Sequence, residues 1–449
     1  MADLDLQRRK ILSPNKLHIT IPEPCKLSSV SSPISSSSSA ACSAYELYLR
    51  LPELRSLWSS LDYPRWISEP VLKPSLQALE ITFRLILTVA SDTRPYVNRR
   101  EWIRRLDSLS TSQIKLVAAI CEDDNYDDDG NENVSAAPVS NGWSSLSLLS
   151  EIVTCRTSES IGQKILSTIE NEMRWCKYTL GLGEPNLAGK PYLRYDTVCR
   201  PEELHSLKNN PYSDHIENQE NQMLYTIHQI LESWIYVSVN LLNRIESSIE
   251  DGKFEKASSD VYLLERIWKL LAEIEDLHIL MDPEDFLKVK KQLQIKTTSQ
   301  NDAFCFWSKG LVGMAKMSKE LRQKVPAVLE VEVDPTGGPR LQEAAMKLYS
   351  RKTEYEKIHL LQGMQAVESA AKRFFFGYQK LVATMMGSAE ANANRTVANH
   401  ELCDSLTQVF MEPPYYPSLD AAKTFLGEFW SQIGLQWKTL TDVTPPKFL

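Results

Sequence analysis

One stripe of side chains constrains this chain more than any other feature. Met364, Val367, Ala371, Phe374, Tyr378, Leu381 and Met385 follow one another at spacings of three and four residues. At 3.6 residues per turn those positions share one face, so the run predicts a helix that buries that face and points Tyr378 inward. The same periodicity recurs upstream. Leu224, Ile227, Leu231, Trp234, Leu241 and Ile245 make one face, and after a short linker around Gly252, Leu264, Ile267, Leu271, Ile274 and Met281 make another. Asp282-Pro283-Glu284 starts a further helix, with an aspartate cap, a first-turn proline and an acid at the positive end of the dipole. Helical patterns also cover 76–89, 112–121 and about 145–182, the last stopped at Gly183-Glu184-Pro185. Beyond a break at 334–339 the pattern predicts one long helix over 341–386, then a last one over 419–440 carrying Phe425, Phe429, Trp430 and Ile433. Only 328–333 alternates like a strand, and one strand makes no sheet. The fold class that follows is all-α, an irregular helical bundle.

Composition narrows the function classes. The 449 residues are 43% hydrophobic, enough for a large core, and the net charge of −8 leaves no electrostatic footprint for nucleic acid. No apolar run approaches the roughly 18 residues of a membrane span. The acidic opening Met1-Ala2-Asp3-Leu4-Asp5 has no apolar core of a secretory signal, and eight cysteines occur without a CxxC pair. Both point to reduced thiols in a cytoplasmic protein.

Three regions are expected. Residues 1–43 form a flexible arm, serine-rich from 28 to 43, with too little apolar surface to offset chain entropy. Residues 44–185 form an N-terminal helical region, interrupted by a disordered acidic loop over 122–142 in which seven of the twelve residues at 122–133 are acids. Residues 186–449 form a C-terminal helical domain.

Most motifs fail on inspection. An EF-hand register through Gly130 puts Asn125 at position one and Ala136 where a bidentate glutamate is needed. Gly337-Gly338 lacks the Gly-Lys-Ser/Thr of a phosphate loop and reads as a turn. No GxSxG or HExxH occurs, and the seven histidines never stand three or four apart, so no local zinc site is expected. His228 lies between Leu224 and Leu231, flanking the buried stripe. It reads as a core-edge histidine held by a hydrogen bond, with a ligand or proton-transfer role as the alternative.

Two resemblances add to this. Tyr45-Glu46-Leu47-Tyr48-Leu49-Arg50-Leu51-Pro52, the run from 374 to 387 and the ending Thr444-Pro445-Pro446-Lys447-Phe448-Leu449 resemble the plant nematode-resistance-like HSPRO family over nearly the whole chain. That resemblance implies a defence protein acting in basal resistance to nematodes and bacteria. It also implies binding to a regulatory subunit of the plant AMPK-like, SNF-related kinase complex.

More remotely, residues 215–440 resemble the tryptophan and indoleamine 2,3-dioxygenase superfamily. His228-Gln229 with Glu232 and Trp234, then Asp282-Pro283-Glu284-Asp285-Phe286, then 377–387 match its segments in order. The resemblance implies a haem-dioxygenase fold with its chemistry replaced. The family's active-site histidine falls on Gln219, its carboxylate-binding arginine on Leu287 and its proximal iron ligand on Tyr378. Its Gly/Thr/Ser-rich loop becomes 388–394. A phenol coordinates iron only as phenolate, and without the arginine a substrate carboxylate loses its charge-assisted partner. The expectation is a non-catalytic protein with no cofactor and a vestigial pocket at Gln219, His228, Trp234, Leu287 and Tyr378. The alternative is a haem- or small-ligand-binding enzyme or sensor.

Overall fold

The computed structural model describes residues 43, 45–64, 66–94, 98–123, 139–140, 143–216, 218–296, 308–332, 340–351, 353–386 and 411–427. The expected arm over 1–43 (Ser43 apart), most of the acidic loop, the Gly337-Gly338 turn and the segment 388–394 lie outside the described residues. So do Phe429, Trp430 and Ile433.

Helix dominates, as the periodicity requires. In order come α1 (Leu51–Ser59), α2 (Glu69–Ser91), α3 (Arg99–Asp123), α4 (Leu149–Thr154), α5 (Glu159–Glu172), α6 (Tyr195–Cys199) and α7 (Pro201–Ser206). There follow α8 (Gln219–Glu250), α9 (Phe254–Glu275), α10 (Pro283–Lys296), α11 (Lys309–Glu320), α12 (Val325–Val328), α13 (Arg340–Arg351) and α14 (Tyr355–Met386), then helix again over 417–427. Among the described residues the named strands are two-residue β1 (Val139–Ser140) and β2 (Tyr192–Leu193), paired antiparallel. The all-α class holds.

Three details depart from the pattern. The long helix expected over 341–386 is two helices, α13 and α14. The five residues from Ser350 to Glu354 are all polar, so a helix there has no face to bury. The strand expected at 328–333 is instead the end of helical turn α12: Glu330 takes a left-handed φ of 55° and Val331 N–H returns to Pro326 O at 3.0 Å. The block over 145–182 is broken at Cys155 and ends in a 3-10 turn at Met173–Trp175, before the expected stop.

The core is built around α8. It packs against α2 and α9, and α9 in turn packs against α14. The regions 44–185 and 186–449 therefore share one core. Where α9 meets α14 the backbones come close: a Cβ on Gly363 would stand 2.8 Å from Val261 Cγ1, so only glycine fits there without a shift.

α2 carries apolar residues almost all round and is buried almost all round. Yet one line of its side chains is polar: Glu69, Lys73, Gln77, Glu80 and Arg84, at helical spacing and all buried. Each is matched to a partner outside α2. Glu69 accepts from the N–H groups of Asp62 and Tyr63 at 2.8 Å each, and Lys73 donates to Ser60 O at 2.6 Å and Asp62 Oδ2 at 2.7 Å. Gln77 donates to Cys199 O at 2.9 Å, and Arg84 donates to Gln229 Oε1 on α8. Glu80 is the most heavily bonded. It accepts from Ser147 Oγ and Leu148 N at 2.7 Å, contacts His205 Nε2 at 3.0 Å, and accepts from Tyr195 Oη at 2.8 Å. One carboxylate thus fastens the 147–148 loop, α6 and α7 to α2. Removing it leaves several buried donors unmatched, at about 1–3 kcal/mol each. We expect Glu80→Ala to lower unfolding free energy by about 3–5 kcal/mol in a urea titration, and Glu80→Gln by less. A loss under about 1 kcal/mol for Glu80→Ala would show that the three segments are held by apolar packing instead.

Candidate functional site

α8 begins at Asn218, whose side chain accepts from Glu220 N at 2.7 Å, a cap expected of asparagine. Ten residues after that cap lies His228, 2% exposed, its Nδ1 2.9 Å from Leu224 O. A carbonyl only accepts, so Nδ1 carries the proton and Nε2 the lone pair. The hydrogen-bonded reading of His228 holds, at a position deeper than the core edge.

α9 ends in a 3-10 turn, Asp276–Leu280, that carries His278. Arg105 Nη1 donates to Asp276 O at 2.8 Å, and Asn98 Nδ2 donates to Leu280 O at 2.8 Å, so residues of the α3 region hold this turn at both ends. His278 Nδ1 lies 2.8 Å from Glu275 O and 3.1 Å from Glu275 Oε2. The two imidazoles face each other with centroids 5.0 Å apart, tilted by 52°.

Asp282 caps α10 as expected, its Oδ1 accepting from Glu284 N and Asp285 N at 2.9 and 3.1 Å. That start sets Phe286 edge-on to His278, with centroids 6.4 Å apart. Tyr378, Leu381, Val382 and Met385 of α14 complete a cleft of about 30 Å³ with His228, Glu275, His278 and Phe286. Tyr378 is half-buried, not fully inward, and stacks on Phe374 at 6.2 Å. Burial, with His278 adding to it, pushes the pKa of His228 down to about 4, so both its nitrogens serve a neutral ring near pH 7.

Of the five residues expected to share a pocket, His228 and Tyr378 do. Gln219 stands at the first turn of α8, nine residues and so about 13 Å along the axis from His228. Trp234 is fully buried elsewhere, its Nε1 donating to Gln113 Oε1 at 3.0 Å. Leu287 packs against the core, while its neighbour Phe286 lines the cleft. The cleft also holds Glu275 and His278, which are not among those five. Their signal was a Glu-x-x-His spacing at the end of an apolar stripe, whose histidine partner lies fifty residues upstream in sequence.

One turn beyond His228 on α8 sits Glu232, buried, accepting from Tyr45 Oη at 3.0 Å. The Tyr45 ring meets His228 edge-on at 5.9 Å. Burial pushes the Glu232 carboxyl up from 4.5 to about 7, against hydrogen bonds from Ser308 and Tyr45. Ser308 also caps α11, accepting from Leu311 N at 2.9 Å. A folded-state pKa above the unfolded one means the folded chain keeps a proton that the unfolded chain has released. Stability contributed by the neutral carboxyl is therefore full below pH 4.5, falls as pH rises toward 7 and is gone above it. Glu232→Gln keeps an acceptor for Tyr45. It should exceed the wild type in stability by up to about 3 kcal/mol at about pH 8 and lose that advantage at about pH 5. Parallel pH profiles for the two proteins in chemical denaturation would refute this.

Comparison with known proteins places the chain. The family description "Hs1pro-1 N-terminus" matches residues 1–170, and "Hs1pro-1 protein C-terminus" matches 173–432. The chain belongs to the Hs1pro-1 family. It is 90% identical over 434 residues to the Arabidopsis thaliana "Nematode resistance protein-like HSPRO1", covering 96% of this chain and 100% of that protein. It is 72% identical over 443 residues to "Nematode resistance protein-like HSPRO2" of the same plant, covering 97% and 100%. No solved structure matches it. The junction between the two family halves falls at the end of α5, close to the 3-10 turn at Met173.

Proposed function

We propose that this Hs1pro-1 family chain acts in resistance to nematodes, and in basal resistance to bacteria, as a non-catalytic cytoplasmic protein. In this reading it works by binding the regulatory subunit of the plant AMPK-like kinase complex. The names and identity of the two Arabidopsis relatives support the nematode role. The kinase partner rests on the family resemblance.

The observation that carries the non-catalytic reading is the size of the central cleft. Small-molecule sites enclose about 300–1,000 Å³, and this one offers about 30 Å³ between the residues that would flank a haem. Neither a macrocycle nor an amino acid fits between His228, His278 and Tyr378 as they stand. The three segments matched to the dioxygenase superfamily nonetheless converge, through His228, Phe286 and Tyr378, on that one cleft. Their convergence supports descent from such a fold with the pocket since filled.

Exposed aromatic surface favours a binding role. Trp175 is 78% exposed, Trp143 63% and Leu187 90%, and a groove of about 310 Å³ runs between Arg174 and Leu187. Large apolar side chains in water are characteristic of contact surfaces. The test is calorimetry of the full chain against the isolated kinase regulatory subunit, beside complementation of a plant lacking the gene. We expect a one-to-one complex and restored nematode resistance with both the wild type and Tyr378→Phe. Loss of resistance in a folded, kinase-binding Tyr378→Phe protein would refute the non-catalytic reading. Absence of a complex would refute the partner.

A further inference from the structure

We propose that the open groove bounded by α13, the start of α14 and the helix over 417–427 is a docking site for an amphipathic helix, and that its occupant is this chain's own segment 428–440. The proposal is independent of the kinase partner and of the defence role.

Register is the first argument. The segment from 412 to 427 runs backward along α14. Lys372 Nζ donates to Glu412 O at 3.0 Å, and Glu368 Oε1 accepts from Tyr415 N at 2.9 Å. Gln365 then donates to Asp420 Oδ1 at 2.6 Å and accepts from Lys423 Nζ at 2.5 Å. Rising numbers on the later helix thus meet falling numbers on α14. By residue 427 the helix is level with the first turns of α14. There Lys423 and Leu426 line a groove of about 560 Å³ together with Tyr355, Ile358, His359 and Gln362, and with Tyr349 of α13. The chain continues from this point to Leu449. Residues 428–440 therefore start at the groove itself, and the tether gives them a concentration there that a free partner does not have.

Pattern is the second. Leu419 and Ala422 are the buried residues of the helix over 417–427. The same face continues in the sequence through Leu426, Trp430, Ile433, Trp437 and Leu440, at spacings of three and four. Anchors so spaced are what a helix lays into an apolar groove. Two of them are tryptophans, and an aromatic side chain removes about 150–250 Å² from water when it is covered. A face buried at 419 and 422 and carried on by such residues calls for a wall beyond Leu426, and the groove supplies one.

The walls are the third. Tyr355 is 57% exposed and Ile358 is half-buried, so apolar surface at the groove faces water. Tyr349 Oη is buried yet has no hydrogen-bond partner among the described residues, an uncommon state for a polar atom. An occupant that brings an indole N–H with its apolar surface suits both conditions, and Trp430 is the first stripe residue beyond Leu426. A helical partner from outside would have to displace this segment before using the groove.

The test places a photoactivated benzophenone in the purified full-length protein by Tyr355→p-benzoylphenylalanine and maps the cross-links by mass spectrometry. Cross-links to residues 428–440 within one chain are expected. Trp430→Asp in the same protein should lose most of that product, while Trp430→Phe should keep it. The same probe at Phe376, an exposed residue far along α14 from the groove, should give no cross-link to 428–440. The map of the protein with native Trp430 stands without the variants. Cross-links between two chains, cross-links only to other segments, equal labelling of 428–440 from Phe376, or no cross-link at all would overturn the proposal.

Discussion

The structure depends on a helix that is buried on every side yet carries a line of polar residues. Burying α2 brings Glu69, Lys73, Gln77, Glu80 and Arg84 out of water together, and each buried polar group must find a partner or cost free energy. Apart from Gln229 on α8, which meets Arg84, the partners are loops and short helices: 60–63, 147–148, α6 and α7. Those segments are too short to hold a helical conformation by themselves. The polar line therefore organises the N-terminal half, while apolar packing of α8, α9 and α14 organises the rest. Arg84 joins the two halves through Gln229, and burial lowers its pKa to about 10.

The central cleft follows a different logic. Its polar atoms are few and face inward, and its walls come from helices that the apolar stripes place. His228 is neutral because it is buried, with a second imidazole beside it, and Glu275 opposes that effect. That is a property of the packing, since burial and the imidazole of His278, fifty residues away in sequence, lower the pKa of His228.

The stripes through Leu224 and Leu264 gave α8 and α9 their buried faces, and Asp282 gave α10 its start, because local periodicity and capping act within a few residues. The join between α13 and α14 is marked only by five consecutive polar residues, between apolar patterns that are helical on both sides. The turn at Glu330 reads as a strand because Leu329, Val331 and Val333 alternate with Glu330 and Glu332, which mimics a period of two. At the cleft, His228 and Tyr378 can be named because they flank or join helical stripes. Glu275 and His278 could not, since their meeting with His228 is a tertiary event between a helix and a turn. Nor could the polar line on α2 be read as such. Lys73, Glu80 and Arg84 look like a solvated face until the loops that cover them are in place.

The cleft also depends on polar ties outside it. Arg94, just past the end of α2, pairs with Asp92 at 3.0 Å and with Glu220 in the first turn of α8 at 2.9 Å, and lies 3.8 Å from Asp285 of α10. Asn218 adds a bond to Asp285 O at 3.2 Å. One guanidinium thus sets the start of α8 against the start of α10, the two elements that supply His228 and Phe286. Burial raises the Glu220 carboxyl, and Arg94 opposes that rise, so the charge pair persists only while the three elements stay docked. The position of Phe286 over His278 is consequently fixed from a junction on α2, the same helix whose polar line fastens the N-terminal loops. The cleft built from α8, α9, α10 and α14 is thus tied through Arg94 to the end of α2.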